Sequence, residues 1–166
     1  RVQATIRNTL PGSKEGRLIV SAGPSKSSET SASAQLAHSF PAGDSVVEMQ
    51  LQVPNHRLWQ LDDPFLYRLN VKLLVDPAAQ DETVTRFGFR ELRVDNGYFH
   101  LNGKRIFLKS SHTGNHCPVG QIIPPRQAPD LLRKDLLYMK SSGFNTIRFI
   151  AGIAHPYQLD LCDEIG

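Results

Sequence analysis

Cysteine is scarce in this 166-residue chain: Cys117 and Cys162 alone define no disulfide framework. No apolar run approaches the ~18 residues that a membrane-spanning helix needs. No charged-then-apolar leader stands at the start either, so no membrane partner is expected. Blocks of one charge sign are missing too. Nineteen Lys and Arg against sixteen Asp and Glu leave a formal +3, scattered singly or in short pairs such as Arg133-Lys134. A nucleic-acid surface needs clustered positive charge, and that partner is not expected. What remains is ordinary globular composition, 40% hydrophobic and 21% charged, which excludes collagen-like and fully disordered chains. The absence of an initial Met leads us to expect a processed or excised piece of a longer protein. The compartment stays open.

The first half reads as all-β. Val2, Ala4 and Ile6 alternate with polar residues, and Thr9-Leu10-Pro11-Gly12 supplies a turn. Arg17-Leu18-Ile19-Val20 is a short strand before Gly23-Pro24. The Ser/Thr-rich stretch 25–33 is a solvated loop, because alternation resumes at Ala32, Ala34 and Leu36. A further strand puts Val47, Met49, Leu51 and Val53 on one face. Another puts Tyr67, Leu69, Val71, Leu73 and Val75 there, with Arg68, Asn70 and Lys72 opposite. Period-two alternation of this length marks sheets with one buried face, and short strands between Pro/Gly/Asn turns imply a sandwich.

After about residue 90 the pattern changes. Tyr98-Phe99-His100-Leu101 and Arg105-Ile106-Phe107-Leu108 flank Asn102-Gly103, a strong hairpin signal. A Gly/Pro-rich loop follows. Asp130 then opens a helical period through Leu132, Leu136, Met139 and Lys140, with Gly143 where a C-terminal cap belongs. Residues 144–150 read as a buried strand and 156–165 as a second helix with Pro at its start. Strand–helix–strand–helix is the grammar of a parallel α/β sheet.

Four segments together resemble glycoside hydrolase family 2, the group of β-galactosidases, β-glucuronidases and β-mannosidases. Residues 53–69 (VPNHRLWQLDDPFLYRL) resemble the stretch ending its Ig-like domain, and 87–91 (FGFRE) its domain junction. Residues 98–109 (YFHLNGKRIFLK) resemble the hairpin leading into its barrel. Asp135 through Arg148, followed by Leu161-Cys162-Asp163-Glu164-Ile165-Gly166, resemble the first barrel helix, second strand and second helix. The resemblance implies a multi-domain chain, all-β plus α/β. An immunoglobulin-like β-sandwich over 1–90 would precede the first strands and helices of a (β/α)8 TIM barrel over 91–166. The barrel would be incomplete, because the chain cannot hold a sandwich of roughly 100 residues and a whole barrel of about 250. Trp59, with Pro64 and Tyr67, is expected to plug one end of the sandwich as core rather than as a sugar platform.

The implied parent reaction is hydrolysis of a β-glycosidic bond with retention, so the expected partner is a carbohydrate β-glycoside; no cofactor is expected. Retention needs two carboxylates about 5–5.5 Å apart. In the resembled family both are Glu on later barrel strands, so no catalytic residue is assigned and the chain itself is expected to be inactive. Asp160, Asp163 and Glu164 fall in the second helix, Glu91 at the domain junction, and Asp62 and Asp63 in a turn. Arg148 closes the second strand, where the family's Arg lies beside the nucleophile; a structural pairing with a helix carboxylate is the alternative.

Residues 109–116 (KSSHTGNH) are expected to form the first strand's exit loop, with His112, Asn115 and His116 as sugar contacts or as plain loop hydrogen-bonders. This loop and 150–153 depart from the common family pattern, which keeps a non-catalytic carbohydrate-binding or scaffold module as the rival. The His112/His116/Cys117 spacing superficially resembles a metal set, but Gly114 and Pro118 argue for loop, and no metal site is assigned. His155 before Pro156 is read as opening the second helix. An unfinished barrel would expose Leu131, Leu136, Met139, Ile147, Phe149 and Leu161, an apolar patch favouring self-association.

Overall fold

The computed structural model describes residues 1–76, 79–113, 129–150 and 153–166. The chain divides into two compact units, Arg1–His56 with Leu66–Phe87, and Arg57–Phe65 with Gly88–Gly166.

The first unit holds β1 (Val2–Asn8), β2 (Lys14–Pro24), β3 (Ala32–Phe40), β4 (Gly43–Met49), β5 (Tyr67–Asp76) and β6 (Ala79–Phe87). Strands β1 and β4 pair antiparallel, Ala4 opposite Val47. The second sheet runs β3-β2-β5-β6, also antiparallel. Leu18 and Val20 of β2, Phe40 of β3, and Val47 and Met49 of β4 form one buried cluster. Val2, Ala4 and Ile6 of β1 and Leu69, Val71 and Leu73 of β5 pack against it. Side chains from both sheets thus share one core, the arrangement of a β-sandwich. Fully burying each large residue contributes about 1.5–3 kcal/mol.

The alternation read from sequence holds in β1 and β4, while the short strand read at Arg17-Leu18-Ile19-Val20 is longer, running as β2 from Lys14 through Gly23-Pro24. Alternation weakens in β3, where Leu36 is exposed, because β3 lies at the sheet edge. Leu51 lies past the end of β4 yet still reaches the core. Gly23 has a steric reason, since a β-carbon there would overlap the Glu29 carbonyl.

The second unit begins with β7 (Leu92–Asp95), β8 (Tyr98–Leu101) and β9 (Lys104–Ile106), an antiparallel meander. Both connecting turns place two residues at positive φ: Asn102 and Gly103 at 51° and 79°, Asn96 and Gly97 at 49° and 80°. These are the angles of type I′ turns, which match the strand twist. The first is the expected hairpin. The second goes beyond the sequence reading, although its Asn-Gly follows an alternating Leu92-Arg93-Val94-Asp95.

Next come β10 (Ser110–Thr113), α1 (Leu131–Ser141), β11 (Thr146–Phe149) and α2 (Pro156–Ile165), with β10 and β11 parallel. Asp130 caps α1 by accepting from the Arg133 amide at 2.9 Å. At its far end, the Gly143 amide donates to Lys140 and the Phe144 amide to Met139, with Gly143 at φ 86°. This is a Schellman ending, which the sequence announces at Gly143. His155 caps α2 in a reciprocal box with Gln158, as expected of a residue opening that helix.

The expected apolar patch is corrected. Leu136 and Leu161 are buried, at 4% and 0% exposure, in a cluster with Tyr157, packed by Leu132, Ile147, Cys162 and Ile165. The two helices cover these residues by packing on each other. Of the expected patch only Leu131 is exposed, while Met139, Ile147 and Phe149 are half-buried; Leu137, Tyr138 and Leu159 are exposed as well.

The Tyr157 hydroxyl of α2 donates to the second carboxylate oxygen of Asp130 at 2.5 Å. That bond holds the Tyr157 phenol above its ordinary pKa, so the hydroxyl keeps its proton. One carboxylate therefore caps α1 and ties it to α2. Asp130→Ala removes a cap worth about 1 kcal/mol and a charge-assisted bond worth roughly as much again. A loss of about 2 kcal/mol is expected in urea unfolding; a change under about 0.5 kcal/mol would show the carboxylate to be dispensable.

Trp59 is also corrected. It belongs to the second unit rather than to the sandwich. Its indole N–H donates to the Asp163 carbonyl at 2.7 Å. Asp163 lies in the last turn of α2, where carbonyls lack intrahelical donors. A buried indole needs an acceptor and a helix end needs donors, and each supplies the other. The core assignment itself holds, at 6% exposure. Tyr67 stays in the sandwich, stacked on Phe87.

Candidate functional site: the polar face of the parallel strand pair

Strands β10 and β11 pair in parallel, Ser110 opposite Thr146, Ser111 opposite Ile147, His112 opposite Arg148 and Thr113 opposite Phe149. Alternation sends one set to each face. Ile147 packs on the α1/α2 cluster, so its face is the helix side. The opposite face carries Ser110, His112, Thr146 and Arg148, every one polar. A sheet face without apolar residues cannot be core. His112 and Arg148 stand side by side on it at the C-terminal ends of parallel strands, where α/β sheets place their ligand sites.

Both side chains are exposed. Neither has a hydrogen bond or ion pair among the described residues, so the pairing of Arg148 with a helix carboxylate is not found there. The α2 carboxylates Asp163 and Glu164 pair with Arg90 at 3.3 Å and Arg133 at 2.6 Å. Asn115 and His116 lie outside the described residues, as do Cys117 and the loop residues 151–152.

The exit-loop assignment for 109–116 is corrected over Ser110–Thr113, which is strand β10 itself. Sequence reading places a strand at Arg105–Leu108 because Ile106-Phe107-Leu108 is apolar. In the structure β9 ends at Ile106, and Phe107 is 69% exposed. Backbone pairing with β11, rather than side-chain hydrophobicity, makes Ser110–Thr113 a strand.

Asn145 sets that pairing. Its Oδ1 accepts from the Lys109 amide at 2.8 Å, and its Nδ2 donates to the Phe107 carbonyl at 2.9 Å. Its own amide donates to the Lys109 carbonyl at 3.0 Å. One side chain immediately before β11 thus grips both ends of the peptide leading into β10.

A cavity of about 450 Å³ in this unit is lined by Trp59, Leu136, Phe144, Asn145, Thr146 and Ile147; it shares Thr146 with the polar face, but neither His112 nor Arg148 lines it. Its cations are engaged: Arg90 lies over the Trp59 ring at 4.5 Å, and Lys140 donates to the Leu61 and Gly166 carbonyls. Burial pushes the Cys162 thiol above its ordinary pKa, reinforced by Asp163 and opposed by Arg90, which keeps it a protonated, weak nucleophile near neutral pH. Among the described residues, no group of three or more His, Cys, Asp or Glu is arranged to hold a metal.

The family model for glycosyl hydrolases family 2 matches residues 1–90, more than half of the chain. The chain belongs to glycosyl hydrolases family 2.

Among solved structures, this family-2 chain is 32% identical to Parabacteroides merdae β-glucuronidase, with a TM-score of 0.76 over 92% of this chain and 18% of that one. It is 26% identical to a family-2 β-galacturonidase from Eisenbergiella tayi solved with galacturonate, with a TM-score of 0.78 over 99% of this chain and 28% of that one. A family-2 member from Bacteroides cellulosilyticus, 24% identical, shares the fold with a TM-score of 0.88 over 99% of this chain and 21% of its own length. The chain spans well under a third of each of these family members.

Proposed function

We propose that this family-2 chain supplies the Ig-like sandwich (1–90) and the opening β–α–β–α of a (β/α)8 barrel (91–166) to a retaining β-glycosidase. Its sugar-facing groups are Arg148 and His112, joined by Asn115 and His116. The observation that supports this is the in-register His112–Arg148 pair on the polar face turned away from the helices. A barrel closed around that face would line its interior with hydrogen-bonding groups at strand C-termini, where barrel enzymes hold their substrates.

Retaining hydrolysis uses one carboxylic acid to protonate the leaving oxygen and one carboxylate to attack the anomeric carbon. Both carboxylates come from outside residues 1–166. Arg148 orients the attacking carboxylate and keeps it ionised, because a nearby guanidinium lowers a carboxyl pKa. His112 hydrogen-bonds a sugar hydroxyl from the neighbouring strand. The substrates are β-glycosides, uronides included, in keeping with the glucuronidase and galacturonidase relatives.

The 166-residue chain alone is expected to release no nitrophenol from p-nitrophenyl β-glucuronide or β-galactoside, and steady release would refute the assignment of both carboxylates elsewhere. In the full-length protein carrying this chain, Arg148→Ala is expected to lower kcat/KM by about 100-fold or more. A full-length protein inactive on every aryl β-glycoside would favour the second reading, a non-catalytic carbohydrate module, for which the departures from the common family sequence at 110–115 and 150–153 speak.

A further inference from the structure

The β7-β8-β9 meander has two unlike faces. Register puts Leu92, Val94, Phe99, Leu101 and Ile106 on one. The other carries a row across all three strands, with Arg93 opposite His100 and His100 opposite Arg105. Adjacent strands lie about 4.8 Å apart, so the two guanidinium groups rise from positions roughly 10 Å apart. Arg93 and Arg105 are exposed, and among the described residues none of the three forms an ion pair. Asp95 is the one carboxylate on this face, at the turn.

Aromatic rings fix the row's far end. The Arg105 guanidinium lies 3.6 Å from the Tyr98 ring centroid and 5.2 Å from that of Phe107. Tyr98 and Phe107 are 48% and 69% exposed. Stacking holds the guanidinium plane while leaving its N–H edge free for a carboxylate. Two type I′ turns stiffen the sheet beneath, so little ordering remains for binding to impose.

We infer that this face is a docking surface for an anionic polysaccharide, a glycan carrying uronate carboxylates. The cations are opposite in charge to the carboxylates, and the exposed parts of the Tyr98 and Phe107 rings offer apolar surface to sugar C–H groups. A strip of bare charge would hold any polyanion; the aromatic rings at the Arg105 end favour a sugar chain. The surface lies on different strands from His112 and Arg148 and does not depend on what that pair does.

The test titrates the 166-residue chain with tetragalacturonate, with neutral cellotetraose and with poly-glutamate, following backbone amide shifts. Tetragalacturonate is expected to shift resonances of Arg93, His100 and Arg105, and cellotetraose to shift none. Arg93→Ala and Arg105→Ala are each expected to weaken binding about tenfold, the loss of one charge-assisted contact. Raising salt from about 50 to about 200 mM weakens it further. Lys134→Ala, which removes an exposed cation on α1, is expected to leave it unchanged, and this separates the row from the loss of any one surface charge. Circular dichroism of each variant checks that the fold is retained. No tetragalacturonate shifts on this face, binding indifferent to both Arg substitutions, or equal affinity for poly-glutamate would each overturn the inference, the last by making the surface a site for acidic peptides.

Discussion

Trp59→Ala is expected to destabilise the second unit by about 3–5 kcal/mol, the range for emptying a buried aromatic site. Three losses combine. The ring packs against Gly88 so closely that a β-carbon there would sit 3.3 Å from the Trp59 Cδ1, a contact that alanine lacks. The indole also leaves the Asp163 carbonyl without its side-chain donor, in the turn of α2 where no helix amide can replace it. Arg90 loses the ring beneath its guanidinium, keeping only its bridge to Asp163. Trp59→Phe separates the contributions, since it retains much of the ring and drops the N–H; about 1–2 kcal/mol is expected for it. Urea unfolding followed by far-UV circular dichroism reads both variants. The native protein has one tryptophan, so its fluorescence reports this unit directly. A Trp59→Ala loss below about 1 kcal/mol would show that the segment Arg57–Phe65 is not anchored through this ring.

That anchor is the least legible part of the sequence. Its hydrogen bond joins residues 104 positions apart, and neither partner carries a local pattern that names the other. Features set by neighbours a few residues away are legible. The Val2-Ala4-Ile6 alternation, the Asn102-Gly103 turn, the Asp130 cap and the Gly143 ending each state their geometry within one turn of chain. Strand β10 shows the opposite case. Ser110-Ser111-His112-Thr113 has no apolar alternation, because one of its faces is polar and its partner strand supplies the order. An apolar run just before it, Ile106-Phe107-Leu108, draws the strand boundary to the wrong place. Arg148 can be placed at a strand end from the sequence; that His112 stands opposite it cannot, because the two strands lie on either side of α1 in the chain and neither carries a local pattern that names the other.

The same contrast explains why the candidate site and the core differ in kind. Leu136 and Leu161 are determined by helical periodicity and by each other, so many apolar residues would serve there. His112 and Arg148 make no described side-chain contact that stabilises the fold, and their juxtaposition comes from the pairing of β10 with β11. Residues that do nothing for folding but sit in register at strand ends are those a ligand would use.

The residue that holds them in register gives the second large effect. Asn145→Ala is expected to cost about 3 kcal/mol, roughly 1 kcal/mol for each side-chain hydrogen bond lost. Those bonds run from the Lys109 amide, to the Phe107 carbonyl and from the Thr146 hydroxyl. Its backbone amide still meets the Lys109 carbonyl, so the strands stay close while the peptide leading into β10 is released. Amide exchange should therefore accelerate at Ser110–Thr113 and Thr146–Phe149 more than in the helices. Asn145→Asp keeps the acceptor for Lys109 and loses the donor to Phe107, and an intermediate loss is expected. If Asn145→Ala changed stability by less than about 0.5 kcal/mol and left exchange in β10 untouched, the register of His112 with Arg148 would have to come from the strand hydrogen bonds themselves. In that case the side chain immediately before β11 would be a bystander to the site.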